Sequence, residues 1–166
     1  MADVVRNNSG AITAYDGDRI MAVFIGDSKN TTACKTAMQM IYAVNQINSA
    51  VARYYEKSPY RLGQHIGVDS SRLFVVRSGV RGANDLVWVG EAANVAAKLS
   101  SVSDDAYSIY ITKNVYDSAN NVVKDINGHL IWREVDGLIA GRRVCRTNYA
   151  FFRQLGGHLK AKMLGN

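Results

Sequence analysis

The chain has 166 residues and only one proline, Pro59, with no Gly/Ser-rich or low-complexity stretch. Nothing in it reads as an internal linker, so residues 1–166 are expected to form one domain. Cysteine is equally sparse. Cys34 and Cys145 stand too far apart for metal-ligand spacing, which excludes a cysteine zinc site and a disulfide scaffold. Both are expected as reduced thiols in a cytoplasmic protein. No apolar run approaches the roughly 20 residues of a membrane span, and Met1–Arg6 lacks the core of a signal peptide. Acidic residues are outnumbered, 14 against 20 Lys and Arg, giving a net charge of +6. The positive residues do not form a run. They recur as Arg72, Arg77 and Arg81, and as Arg142, Arg143, Arg146 and Arg153. Without basic–aromatic interleaving, nucleic acid is not an expected partner. A polyanionic small molecule or plain solvation remains.

Hydrophobic residues make up 48% of the chain, enough for a real core. Ala11–Tyr15 and Asp18–Phe24 flank Asp16-Gly17, a strong hairpin signal. A long helix follows, with Ala33, Ala37, Met40, Ile41, Val44, Ile47, Val51 and Tyr54 at helical spacing, ending before Ser58-Pro59. Leu62–Val68 and Arg72–Val76 read as a strand pair joined at Asp69-Ser70-Ser71, and Ser78–Asn84 as a charged loop. After a helix that follows Gly90, Tyr107–Thr112 reads as a strand, Asn114–Ser118 as a short helix, and His129–Val135 and Arg146–Phe152 as strands. A frayed tail is expected from Gly156. Hairpins without steady βα alternation predict an α+β sandwich, helices packed on a mostly antiparallel sheet.

Chemistry concentrates in Val89-Gly90-Glu91-Ala92-Ala93-Asn94-Val95-Ala96-Ala97-Lys98-Leu99. On a helix Asn94 and Lys98, four apart, share one face. A neutral amide beside a cation suits a phosphoryl group in transit; solvated polar residues on an Ala-rich packing helix are the plainer alternative.

Three segments stand in order: Gly17-Asp18-Arg19-Ile20-Met21-Ala22-Val23-Phe24, His65-Ile66-Gly67-Val68-Asp69, and Gly90–Leu99. Together they resemble the catalytic domain of class III nucleotidyl cyclases, with its ferredoxin-like sandwich, over about Ala11 to Phe152. The resemblance implies a metal-binding role for Asp18, with Asp16 a substitute ligand or a turn-former, and Mg²⁺ or Mn²⁺ as cofactor in a two-metal site. It implies that Asn94 orients the ribose and that Lys98 stands where the family has an arginine on the phosphorus. Lysine keeps the charge but loses the planar fork. Glu91 reads as a helix N-terminal charge.

The departures are informative. The family's opening strand, Phe-x-Asp-Ile-x-Gly-Phe-Thr, and the two helices after it have no counterpart before Ala11. A chain lacking them is expected to be inactive, or nearly so, by itself. The purine-reading positions fall on Ala14 and Val87, whose side chains cannot hydrogen-bond a base edge. Tyr15, Arg77 and Arg81 remain as polar candidates. This pattern resembles the pyrimidine cyclases of bacterial anti-phage (Pycsar) systems. That resemblance implies UTP, ahead of CTP, as substrate and a cyclic nucleotide second messenger read by a downstream effector. It also implies a homodimer with sites at the interface, Asp18 from one subunit and Asn94 from the other. The family's triphosphate lysine is missing from Val135-Asp136-Gly137-Leu138, with Arg142 and Arg143 as replacements or a solvated loop. A non-catalytic dimerisation domain and a purine (adenylate) cyclase are the alternatives.

Overall fold

The structure, a computed structural model, describes residues 1–55, 59–80 and 83–150. Helix α1 (Ala2–Asn7) precedes a hairpin of β1 (Ala11–Asp16) and β2 (Arg19–Val23), then the 26-residue α2 (Lys29–Tyr54). Next come β3 (Ile66–Val68), β4 (Phe74–Val80), β5 (Ala83–Val89) and α3 (Glu91–Ser100). The last part holds β6 (Ile109–Thr112), α4 (Lys113–Ser118), a 3-10 turn at Asn121–Val123, β7 (Asp125–Ile126), β8 (His129–Leu130), β9 (Arg133–Glu134) and β10 (Val144–Thr147).

The central sheet runs β3-β6-β10-β9, parallel between β3 and β6 and antiparallel elsewhere. All four residues of β6 are buried, and their alternation divides the core. Ile109 and Ile111 pack with Cys34, Ala37, Met38 and Ile41 of α2 and Val115 of α4. Tyr110 points the other way, to Val95 and Leu99 of α3 and Val144 of β10. One strand thus seats a helix layer on each face, as period-2 geometry requires. The α2 contacts follow i, i+3, i+4, i+7 spacing. A third cluster joins Val4 and Val5 of α1 and Met40 to Ile12, Ala22, Phe24 and Ile66.

Several expectations need correction. The hairpin turn is Gly17-Asp18, not Asp16-Gly17, because Asp16 pairs with Arg19. Gly17 has φ +58 and Asp18 is not left-handed, the pattern of a two-residue II′ turn. β3 does not pair with the segment after Asp69-Ser70-Ser71. It pairs with β6, and β4 pairs with β5. The expected Ser78–Asn84 loop is therefore largely strand, and Arg77 lies within β4 rather than in a loop. His129–Val135 is two short strands interrupted at Ile131-Trp132, where Trp132 turns inward and its Nε1 donates to the Val123 carbonyl at 2.7 Å. α1 has no counterpart among the predicted elements. The last strand, expected over Arg146–Phe152, is Val144–Thr147, and the chain leaves it after Thr147, whose Oγ1 accepts the Tyr149 N–H at 3.1 Å. Residues 151–166, including the end of that predicted strand, Arg153 and the tail from Gly156, lie outside the described residues, as does Arg81.

Both cysteines are buried and free. Burial pushes the Cys34 thiol up to about 12, and burial raises Cys145 as well, so neither has thiolate character. No helix among the described residues is long and apolar enough to cross a membrane.

Candidate nucleotide site

Helix α3 is fixed from three directions. Its buried stripe, Ala92, Val95 and Leu99, faces the sheet. It crosses β3 at Gly67, where a Cβ would stand 2.0 Å from the Ala96 carbonyl oxygen and 2.8 Å from Leu99 Cβ. Only glycine permits so close an approach of helix to strand. At the N-terminus Gly90 offers no side chain to cap the helix. Ser71, from the loop after β3, accepts the Ala92 N–H on its Oγ at 3.0 Å instead, satisfying one orphan donor of the first turn. Sequence reasoning missed Ser71; a side-chain-free residue at the cap was the available signal.

With that face committed, Glu91, Asn94 and Lys98 form one exposed stripe at i, i+3 and i+7. Neither the Asn94 nor the Lys98 side chain has a hydrogen-bond or ion-pair partner among the described residues. Arg142 comes to the head of this stripe, where its Nη2 donates to Glu91 Oε1. The loop that carries it is tightly built. The Val135 N–H donates to the Val144 carbonyl at 2.9 Å, and Ile139 and Arg142 exchange two backbone hydrogen bonds of 3.0 Å. Ala140 (φ +52) and Gly141 (φ +74) form the turn between them, and holding Ala140 left-handed costs about 1 kcal/mol. Arg143 does not join Arg142; its Nε donates to Glu134 Oε1 at 2.8 Å.

Beyond α3, Asp104 fastens the loop to β6. The Tyr110 hydroxyl donates to Asp104 Oδ2 at 2.5 Å, and Arg146 Nη1 donates to the same oxygen at 3.0 Å. The Tyr110 hydrogen bond, ahead of the Ala106 N–H and Arg146, holds the Asp104 carboxyl below the usual carboxylate range. Burial, then the bond to Asp104, raises the Tyr110 hydroxyl. Arg146 also stacks on Tyr107 at 4.2 Å.

The remaining predicted residues lie elsewhere. Asp18, Asp16, Ala14 and Tyr15 are all exposed at the hairpin end, Tyr15 by 61%. The hairpin packs on α1 while α3 packs on β3 and β6, and among the described residues no hydrogen bond or ion pair joins Asp18 to the α3 stripe. Val87 and Arg77 are exposed on the β4–β5 ribbon, Val87 opposite Val76. For a metal, Asp16 and Asp18 are hard oxygen donors, and Mg²⁺ sites commonly use one or two carboxylates completed by substrate phosphates. The donor chemistry fits. Among the described residues no group of three His, Cys, Asp or Glu side chains could hold an ion.

No family model matches the chain. It is 46% identical over 136 residues to a uridylate cyclase of Xanthomonas perforans, a match covering 81% of this chain and 58% of that protein. A uridylate cyclase of Rhodovulum sp. (strain MB263) is 32% identical over 161 residues, 93% of this chain and 67% of that relative. The chain belongs to the class III nucleotidyl cyclase family. Two solved structures agree on the fold. The guanylyl cyclase Cya2 superposes with a TM-score of 0.71 at 19% identity, covering 93% of this chain and 77% of that one. The adenylyl cyclase CyaB from P. aeruginosa gives 0.68 at 16%, covering 93% and 79%. These cyclase structures are distant enough to establish the fold alone. The chain spans 58% of the Xanthomonas relative and 56% of one from Burkholderia cepacia.

Proposed function

We propose that this chain forms the ribose- and phosphate-binding part of a nucleotidyl cyclase that converts UTP to 3′,5′-cyclic UMP and pyrophosphate. The observation that carries the reading is the α3 stripe: unpartnered Asn94 and Lys98 with the Arg142 guanidinium held at its head. Uridylate cyclase is the activity of the relatives that are 32–46% identical. In the reaction the ribose 3′-oxygen attacks the α-phosphorus, the bond from that phosphorus to the bridging oxygen breaks, and pyrophosphate leaves. The 3′-hydroxyl proton passes to solvent. Asn94 orients the ribose by its amide. Lys98 acts as a point charge toward the developing negative charge on phosphorus. Arg142 engages the triphosphate tail, replacing the lysine absent from Val135–Leu138. Asp18, with Asp16 beside it, is the carboxylate side of the site. A bound Mg²⁺ or Mn²⁺ would supply charge neutralisation there.

The site closes between two copies, Asp18 from one and Asn94 from the other. The β4–β5 ribbon supports this arrangement. Phe74, Val76, Val87 and Val89 are paired on one face, all exposed, and an isolated two-stranded ribbon is marginal in water without a partner surface. The β3 edge away from β6 and the β1–β2 hairpin share a core cluster yet do not pair. The product serves as a second messenger for an effector in anti-phage defence.

The test is incubation of the intact protein with UTP, CTP, ATP or GTP and Mn²⁺, with the cyclic products resolved by mass spectrometry. Cyclic UMP as the main product supports the reading. Cyclic CMP alone would move the substrate to CTP, a purine product would overturn the pyrimidine assignment, and no product would favour a non-catalytic dimerisation domain.

A further inference from the structure

Glu91 is exposed, and its one side-chain partner among the described residues is Arg142. The two stand 51 positions apart in the sequence, and among the described residues no other side-chain hydrogen bond or ion pair links the β9–β10 loop to α3. We propose that Glu91 is a positioning residue, which aims the Arg142 guanidinium at the phosphate chain of the nucleotide. The inference rests on the nucleotide-site reading above and deepens it.

Three features argue for positioning rather than for a surface ion pair of no consequence. First, the backbone at Arg142 is already held: the reciprocal bonds to Ile139 close the turn, and the Arg143–Glu134 pair anchors the loop base. The long side chain is what remains free. Second, the contact uses Nη2 alone, so Nε and Nη1 keep donors in the planar fork that suits phosphate oxygens. Third, Glu91 precedes Asn94 and Lys98 on one helical stripe, so a guanidinium tied to it stands at the head of that stripe. Holding a flexible arginine in its binding conformation before the ligand arrives improves affinity by reducing the ordering left to do.

The opposite possibility is competition, in which the carboxylate occupies Arg142 and must be displaced by phosphate. The two differ in sign. Calorimetric binding of inorganic tripolyphosphate and of UTP to the full chain would separate them, using Glu91→Ala, Glu91→Gln, Arg142→Ala and the Glu91→Ala/Arg142→Ala pair. Positioning predicts that Glu91→Ala weakens tripolyphosphate binding about three- to tenfold. Glu91→Gln, whose amide oxygen still accepts from Nη2, restores most of it. The double variant binds no more weakly than Arg142→Ala alone. Melting temperatures should stay together across the set, which a structural role for Glu91 would not give. Tighter binding by Glu91→Ala, failure of Gln to rescue, or additive losses would overturn the proposal while leaving the site intact. If Arg142→Ala does not weaken binding, Arg142 is no phosphate ligand and the nucleotide-site reading loses that member along with this inference.

Discussion

The central strand β6 and the β4–β5 ribbon are built from similar residues and meet opposite fates. Ile109, Tyr110 and Ile111 are almost wholly buried between two helix layers. Phe74, Val76, Val87 and Val89, equally β-prone, are left on an open face, Phe74 exposed by 70%. The first region holds its stability within one chain. The second carries apolar area that nothing among the described residues covers, as an exposed patch set aside for a partner does. Stability and assembly should therefore respond to different substitutions.

The largest effect on folding should come from Leu99→Ala, which empties the α3 side of the sheet. A loss of about 2–5 kcal/mol in denaturant unfolding is expected, with dimer formation of the remaining folded protein unchanged. Gly67→Ala should follow, at about 1–3 kcal/mol, since its new Cβ meets helix backbone rather than a flexible side chain. It should also weaken UTP binding, because α3 must move and carries Asn94 with it. Val76→Asp with Val87→Asp sharpens the contrast. Monomer stability should fall by only about 1 kcal/mol, from two carboxylates placed opposite each other on paired strands, while sedimentation should show the dimer lost. A larger stability loss without loss of association would reverse the roles of the two regions.

The smallest effect concerns acid. The Asp104 carboxyl is held below its ordinary pKa by Tyr110 and Arg146. Its stabilising contribution is therefore present above the ordinary carboxylate pKa and is lost as pH falls through the lowered folded value. Asp104→Asn should flatten that part of the acid limb of the unfolding free energy, measured by urea titration at several pH values. An unchanged limb would remove Asp104 from the account.

Local patterns were the legible part of this sequence. The 3.6 period of α2 and the Gly90–Leu99 helix are present in the structure, and the strand expected over Tyr107–Thr112 is present as Ile109–Thr112, because each is dictated by neighbouring residues. Pairing was less legible. Adjacent segments around Asp69–Ser71 suggested a hairpin, yet β3 finds β6 more than 40 residues away through a parallel connection. Gly79 and the charges beside it suggested a loop, because a ribbon exposed on both faces has no alternation to announce a strand. The hairpin register was misjudged by one residue since either Asp16-Gly17 or Gly17-Asp18 can form a tight turn. For the candidate site, the shared face of Asn94 and Lys98 followed from helical spacing, and its reading as a nucleotide site came from the family resemblance. The Arg142–Glu91 contact did not, because nothing local connects two residues brought together only by the sheet and its last loop.

The claim that matters most is that the site is divided between two copies, and a mixing experiment tests it directly. Asp18→Ala and Asn94→Ala variants of the intact protein should each produce no cyclic UMP. Mixed in equal amounts and allowed to exchange subunits, they should recover about a quarter of the wild-type rate, since half of the dimers are mixed and each of those has one of its two symmetric sites intact. No recovery, with mixed dimers demonstrated in the same sample, would contradict a site shared across the interface.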